Sequence, residues 1–93
     1  MIPSISVKQL KNKEHIIDIR NTQSYNNNHI PNAINIPFEK IIIEPEKYLN
    51  KNEMYYIYCR CGITSNKACE ILSRLGYQVT NIIGGYESWL LEN

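Results

Sequence analysis

Short apolar segments alternate along the chain with segments of helical periodicity. Runs rich in β-branched and aromatic residues predict strands, and these runs cover residues 2–5, 15–20, 33–36, 54–58 and 78–83. Helical turns are predicted over residues 22–28, 38–43, 46–49, 64–75 and 86–91, with a further short helix ending near Leu10. The clearest helix, over residues 64–75, places five small or apolar side chains on one face: Ser65, Ala68, Cys69, Leu72 and Leu75. On the last helix, Trp89 and Leu90 are predicted to be available for the core.

The alternation of strands and helices predicts an α/β fold. Strands joined by helical segments form right-handed crossovers, which give a mostly parallel sheet flanked by helices. Such sheets carry their sites at the carboxyl ends of the strands. The loop after Tyr58, where the most distinct strand ends, is therefore the first candidate for a functional site.

Length and composition restrict the class of protein. The 93 residues are enough for one core, so we predict a single domain over residues 1–93. A net charge of +1 gives no electrostatic basis for binding nucleic acid or an anionic membrane. No apolar run reaches the roughly 18 residues of a membrane span, and the first four residues lack the pattern of a secretory signal. We therefore expect a cytoplasmic protein.

The loop after Tyr58 has the composition of a thiol-activating site. Cys59 stands at the end of a strand, and Gly62 and a helix start follow it closely. Backbone N–H groups of such a loop form an anion-binding nest, and the helix N-terminus adds partial positive charge. A thiol held there has a lowered pKa and acts as a nucleophile. Arg60 adds a cation beside the loop, and Thr64 or Ser65 is expected to cap the helix.

The other cysteines have different expected roles. All three cysteines lie within eleven residues, so local chemistry is favoured over a disulfide framework, and free thiols fit a reducing compartment. Cys61 is either a small loop residue or a resolving thiol that pairs with Cys59 or receives its sulfur, whereas Cys69 lies on the apolar helix face and is expected in the core. No metal site is predicted, because His15 and His29 are remote from the two loop cysteines. His29 is expected to order a loop through hydrogen bonds.

Four segments in register resemble the rhodanese-like sulfurtransferases. The segment at residues 58–68 resembles the active-site loop and following helix of that family, and Asp18-Ile19-Arg20 resembles its Asp-x-Arg strand end. Residues 29–37 resemble its His-Ile-Pro-Gly-Ala segment, with Asn32 in place of the glycine. Gly84-Gly85-Tyr86 followed by Trp89 resembles its Gly-Gly-x-x-x-Trp close.

The resemblance implies a five-stranded parallel domain that uses no cofactor. It implies that Cys59 takes sulfur from a small sulfur-containing anion, such as thiosulfate, or from a persulfide donor. The resulting persulfide passes its sulfur to a small thiol or a protein acceptor. The residues expected to bind the substrate are Arg60, Cys61, Gly62, Ile63 and Thr64. Asp18 and Arg20 are expected to form a supporting ion pair behind the site.

Two departures from the family pattern bear on function. Thr64 stands where the family loop commonly has arginine, so binding of a doubly charged donor should weaken. Ser24 stands where an acidic residue is usual, so Arg20 needs another partner. Alternative functions are therefore a low-activity binding or regulatory module and a Cys59–Cys61 redox switch. A cysteine phosphatase or arsenate reductase is disfavoured, because the loop lacks the arginine that would clamp an oxyanion.

Overall fold

A parallel sheet of five strands forms the centre of the molecule. The computed structural model describes residues 2–93, so Met1, where the predicted domain begins, lies outside the described residues. The strands are β1 (Ser4–Ile5), β2 (Ile16–Asp18), β3 (Ile34–Asn35), β4 (Met54–Tyr58) and β5 (Gln78–Ile82). The α-helices are α1 (Thr22–Asn27), α2 (Phe38–Ile43), α3 (Ile63–Arg74) and α4 (Gly85–Glu92). Two single 3₁₀ turns cover Val7–Gln9 and Pro45–Lys47. The predicted α/β class is confirmed.

The strand order brings the ends of three strands together around the cysteine loop. The order across the sheet is β1-β5-β4-β2-β3, and every pair is parallel. On one side of β4, Tyr58 is in register with Asp18 of β2. On its other side, Ile57 is in register with Asn81 of β5. Cys59 therefore leaves the sheet between two neighbouring strand ends, which is the position expected for a site in a parallel sheet.

The two faces of the sheet bury separate apolar clusters. Successive residues of β4 point to opposite faces, so Tyr55 and Ile57 join one cluster while Tyr58 joins the other. The first cluster includes the buried face of α3, where Ala68, Cys69 and Leu72 lie. The second cluster is covered by α4 and by the turn after β1. The tyrosines of β4 are therefore packing residues.

Two side chains predicted for the core are exposed. Leu75 is 47 % exposed, because α3 ends at Arg74 and the chain turns away at Gly76 before the helix completes another turn over the sheet. Leu90 is 56 % exposed, because α4 directs the neighbouring Trp89 against the core. Both predictions were wrong for the same reason. Helical periodicity shows which residues share a face, but not which part of that face is in contact with the sheet.

Several element boundaries also differ from the prediction. The strand predicted over residues 15–20 is limited to Ile16–Asp18, and His15 before it has a positive φ of 59°. The helical segment predicted over residues 46–49 is the 3₁₀ turn Pro45–Lys47. Asn32, which replaces a family glycine, adopts a positive φ of 73°. Asparagine tolerates this left-handed conformation better than most residues do, so the turn is kept without glycine.

Candidate active site

Backbone N–H groups surround the Cys59 sulfur. Cys59 follows β4 directly and is only 5 % exposed. Its Sγ accepts hydrogen bonds from the N–H groups of Gly62 and Ser65, each at 3.2 Å. The second donor belongs to the first turn of α3, whose N–H groups have no partner inside the helix. The sulfur therefore lies at the positive end of a twelve-residue helix, as the sequence predicted.

Gly62 lies at the N-cap of α3, so the prediction that Thr64 or Ser65 caps this helix was wrong. The N-cap of α3 is Gly62, which has a φ of +99°. Its left-handed turn brings the helix start to Ile63, one residue earlier than predicted. Thr64 is consequently exposed in the first turn, and Ser65 is fully buried with its hydroxyl against the Cys59 sulfur at 3.3 Å.

The loop lowers the pKa of Cys59 in spite of its burial. Burial alone raises the pKa of a thiol. Against this, contacts with the Ser65 side chain and with the backbone N–H groups of Ser65, Gly62 and Cys61 favour the thiolate and bring the pKa of Cys59 below its ordinary value. Cys69 lies in the apolar core, where burial first and the neighbouring Cys59 second raise its pKa to about 12. The two thiols therefore differ in ionisation, and Cys59 is the nucleophile candidate.

Backbone hydrogen bonds from the first turn of α4 fix the position of the cysteine loop. The N–H groups of Tyr86 and Glu87 donate to the carbonyl oxygens of Cys59 and Arg60, each at 2.9 Å. The Arg60 carbonyl points towards α4, and the N–H of Cys61, which belongs to the same peptide group, contributes to the stabilisation of the thiolate. Gly85 makes this approach possible: a Cβ there would lie 2.3 Å from the Cys59 oxygen.

Asp18 and Arg20 form an ion pair, as predicted. The Arg20 Nη2 donates to Asp18 Oδ2 at 2.7 Å, and the Asp18 side chain is fully buried. Tyr58 donates its hydroxyl hydrogen to the same oxygen at 2.7 Å. Arg20 also donates to the Asn28 carbonyl at 2.7 Å, so it has two partners although Ser24 replaces the usual acid. Its guanidinium lies 4.2 Å from the ring centroid of Tyr86, which connects the pair to the start of α4.

The predicted binding residues are not all on the same side of the loop. Cys61, Gly62 and Ile63 line an open cleft of about 440 Å³, together with Asn81 and four further residues: Ser4, Asn66, Ile83 and Gly84. Arg60 lies outside this lining, and its guanidinium is paired with Glu87 at 2.6 Å. The structure therefore leaves the charge of Arg60 partly neutralised by its neighbour.

Sequence reasoning missed three parts of the site. The sequence pattern places Ser65 at the helix cap or on the apolar helix face and does not predict its contact with the Cys59 sulfur. Asn81 accepts a hydrogen bond from the Ser65 hydroxyl at 2.6 Å. A buried polar residue within the apolar strand β5 was the signal available for it. In the sequence, Gly85 is part of a motif only, whereas its role depends on how closely α4 approaches the loop.

Four further observations concern His29, the cysteines, groups of possible metal ligands and the helices. His29 contacts the Tyr25 carbonyl through Nδ1 at 2.9 Å and so orders its loop, as expected. All three cysteines are free thiols. Within residues 2–93, no three His, Cys, Asp or Glu side chains come together as possible metal ligands. In the same range, no helix has the length and apolar character required to cross a membrane.

Comparisons with known proteins agree with this fold. Residues 5–92 match the family model of the Rhodanese-like domain. The chain is 37 % identical over 73 residues to the thiosulfate sulfurtransferase PspE of Escherichia coli, covering 77 % of this chain and 70 % of that protein. It is 36 % identical over 92 residues to the adenylyltransferase and sulfurtransferase UBA4 of Candida albicans, covering 90 % of this chain but 21 % of that protein. This chain thus spans about a fifth of that longer relative.

A solved structure shows the same architecture. The crystal structure of a rhodanese-like domain protein from Staphylococcus aureus superimposes with a TM-score of 0.86 at 35 % identity, covering 95 % of this chain and 91 % of that one. The chain belongs to the rhodanese-like domain family. The predicted resemblance and the five-stranded parallel fold are therefore confirmed.

Proposed function

We propose that this domain transfers sulfane sulfur through a persulfide on Cys59. The observation that carries the proposal is the position of the Cys59 sulfur, which accepts two backbone hydrogen bonds at the N-terminus of α3. A thiolate is stabilised there, and so is the negative charge of a persulfide after sulfur has been added. Sulfurtransferases among the relatives support this class of reaction.

The reaction consists of two exchanges at sulfur. The Cys59 thiolate attacks the outer sulfur of thiosulfate, a sulfur–sulfur bond forms on the enzyme, and the bond within thiosulfate breaks. Sulfite leaves with the electron pair of that bond, so no external oxidant is needed. A thiophilic acceptor, such as cyanide in an assay or a thiol, then attacks the terminal sulfur of the persulfide. The Cys59 thiolate leaves and is ready for the next cycle.

The charges near the loop favour slow turnover with a dianionic donor. Thr64 brings no charge to the first turn of α3, and Arg60 is paired with Glu87. The loop N–H groups and the helix terminus are therefore the main sources of positive potential at the sulfur. A persulfide donor of lower charge depends less on a cation, so it is the alternative donor that the site favours. A binding or regulatory role with little turnover is the second candidate function, supported by the same observation.

Intact mass spectrometry after incubation with thiosulfate tests the persulfide. We expect a gain of about 32 Da, the mass of one sulfur atom, that dithiothreitol removes and that fragmentation assigns to Cys59. Cys59→Ser should lose both the added mass and the formation of thiocyanate from cyanide. Cys69→Ala is the matched control, because that buried thiol takes no part in the proposed reaction.

The outcomes separate the candidate functions. Mass gain with measurable thiocyanate supports the transferase. Mass gain at Cys59 with negligible thiocyanate supports a sulfur carrier or regulatory module. Sulfur found on Cys61 with Cys59 unmodified contradicts the assignment of the nucleophile. After mild oxidation, a loss of about 2 Da assigned to a Cys59–Cys61 disulfide would support the redox switch.

Cellular setting and partners belong to the same proposal. The three free thiols are what a reducing compartment maintains, so we propose that the protein acts in the cytoplasm. The exposed cleft beside Cys61 offers space for an acceptor thiol of a small molecule or of another protein.

A further inference from the structure

Two exposed isoleucines line the cleft beside the cysteine loop. Ile63 is 76 % exposed and Ile83 is 55 % exposed. Ile63 is the first residue of α3, whereas Ile83 directly follows β5, and both line the open cleft of about 440 Å³. A single exposed apolar side chain is ordinary on a protein surface. Here two of them, from separate elements, give apolar surface to one cleft whose volume is that of a small-molecule site.

The lining of the same cleft has no acidic or basic side chain among residues 2–93. Its polar members are the amides of Asn66 and Asn81 and the hydroxyl of Ser4. The nearby charge is negative, because Asn66 Nδ2 donates to the Glu70 carboxylate at 3.1 Å. An anion that entered the cleft would lose water without meeting a cation. The cleft therefore favours an uncharged ligand over an anion.

The cleft lies next to the Cys59 sulfur. Gly62 lines the cleft, and its N–H donates to Cys59 Sγ at 3.2 Å. Asn81 lines the cleft from β5, and its side chain contacts Ser65 Oγ at 2.6 Å. That oxygen is in turn 3.3 Å from the Cys59 sulfur. The cleft and the sulfur are therefore separated by the width of one or two residues, a distance that a short carbon chain spans.

We propose that this cleft binds the carbon chain of an uncharged thiol that accepts the sulfur, and that Ile63 and Ile83 determine this specificity. The acceptor thiolate attacks the outer sulfur of the Cys59 persulfide, and a new sulfur–sulfur bond forms on the acceptor. The bond within the persulfide breaks, Cys59 leaves as the thiolate, and the acceptor's thiol proton goes to solvent. No external oxidant or reductant is needed. This inference rests on the proposed function and specifies the class of acceptor.

The experiment measures the discharge of the persulfide in a single turnover. The protein is loaded with thiosulfate, freed of excess donor and mixed with ethanethiol, 1-propanethiol or 1-butanethiol, and the loss of about 32 Da is followed by intact mass. Exchange rates depend on thiol acidity, which is nearly equal in this series, so rate differences report contacts of the carbon chain. A fully buried methylene is worth about fourfold in rate, and a half-covered one about twofold. 1-Butanethiol should therefore react about fourfold faster than ethanethiol, and 3-mercaptopropanoate, of similar length with an anionic end, should lack this gain.

Serine variants test whether the two isoleucines supply the contact. Ile63→Ser and Ile83→Ser should each lower the ratio of the 1-butanethiol rate to the ethanethiol rate to about two, and the double variant should lower it to about one. Ile43→Ser is the matched control, because Ile43 is 71 % exposed but ends α2 and lines a different cleft with Leu75 and Tyr77. Its ratio should equal that of the wild type. A substitution that only shifts the loop slows all three thiols alike and leaves the ratio unchanged.

Three results would overturn the inference: equal rates for 1-butanethiol and ethanethiol in the wild type, a wild-type ratio in the double variant, or an equal loss of the ratio in Ile43→Ser. If thiosulfate leaves no persulfide on Cys59, the proposed function fails, and S-alkyl methanethiosulfonates of the same chain lengths decide this inference instead. The Cys59 thiolate takes their alkylthio group and methanesulfinate leaves, so fragment mass spectrometry gives the rate at Cys59 without any persulfide. The same dependence on chain length is expected there, and its absence would refute the inference.

Discussion

Replacing Gly85 with alanine tests whether α4 maintains the shape of the cysteine loop. Gly85 has a φ of +56°, and an added Cβ would lie 2.3 Å from the carbonyl oxygen of Cys59 and 2.9 Å from that of Arg60. Real contacts of a Cβ stay above 3.0 Å, so the first carbonyl must retreat by about 0.7 Å. That movement pulls the loop away from the two N–H groups of α4 that hold it at 2.9 Å.

The expected loss of stability has two parts. A left-handed alanine costs roughly 1–2 kcal/mol, and weakening two hydrogen bonds costs about 1 kcal/mol each. Gly76→Ala is the matched control. Gly76 also has a positive φ, of 97°, but a Cβ there meets only the Lys51 side chain, at 3.6 Å. Gly76 follows the far end of α3, which is about 18 Å long. We therefore expect Gly85→Ala to be about 2 kcal/mol less stable than Gly76→Ala in urea unfolding.

The loop displacement should also change the reactivity of Cys59. If the N–H donors move away from the sulfur, the pKa of Cys59 rises. The fraction of thiolate at neutral pH then falls about tenfold for each unit of pKa, whereas the nucleophilicity of the thiolate rises about threefold, so alkylation should slow by about threefold for each unit. Gly76→Ala should be alkylated at the wild-type rate in spite of its lower stability. Equal stability and equal alkylation rates in the two variants would refute the idea that α4 supports the loop.

Three further predictions concern other parts of the molecule. Thr64→Arg should raise kcat/KM for thiosulfate in the cyanide assay by roughly tenfold, the effect of about 1.4 kcal/mol of charge attraction. This gain in kcat/KM should shrink at high salt. An equal gain in the uncharged variant Thr64→Gln would contradict the explanation by charge. Tyr58→Phe should lower the free energy of unfolding by roughly 3 kcal/mol, because the hydroxyl donates to buried Asp18 and accepts from the Ile30 N–H; a loss below about 1 kcal/mol in urea unfolding would show that both partners find replacements. Burial raises the pKa of Cys69 to about 12, so its proton stays bound in the folded protein while the unfolded chain releases it. The contribution of the Cys69 thiol to the free energy of unfolding is therefore complete below about pH 8.5 and is lost as the pH rises towards the pKa in the folded protein. Cys69→Ala should reduce the decrease of the free energy of unfolding with pH across this range. An unchanged dependence on pH would contradict the raised pKa.

The sequence by itself determined the class of the fold and the position of the candidate nucleophile. Alternating strand and helix patterns predict a parallel sheet, and local rules place Cys59 between a strand end and a helix start. Both conclusions depend on residues close together in the chain, where periodicity and turn chemistry act directly. The resemblance agreed with the five strands predicted from the pattern and drew attention to the Asp18–Arg20 pair. Element ends were less predictable, because they depend on where neighbouring elements stop covering them, as the exposed Leu75 shows.

Only the tertiary structure decided how the site around Cys59 is completed. Ser65 is six residues from Cys59, Asn81 twenty-two, and Gly85 belongs to another helix, yet all three act on the loop. Their roles arise from distances between elements that sequence separation does not encode. The same holds for Arg60, whose charge is available or paired according to the position of Glu87 on α4. Local sequence places a thiol at a helix start, but packing of separate elements determines its hydrogen bonds and the charges that surround it.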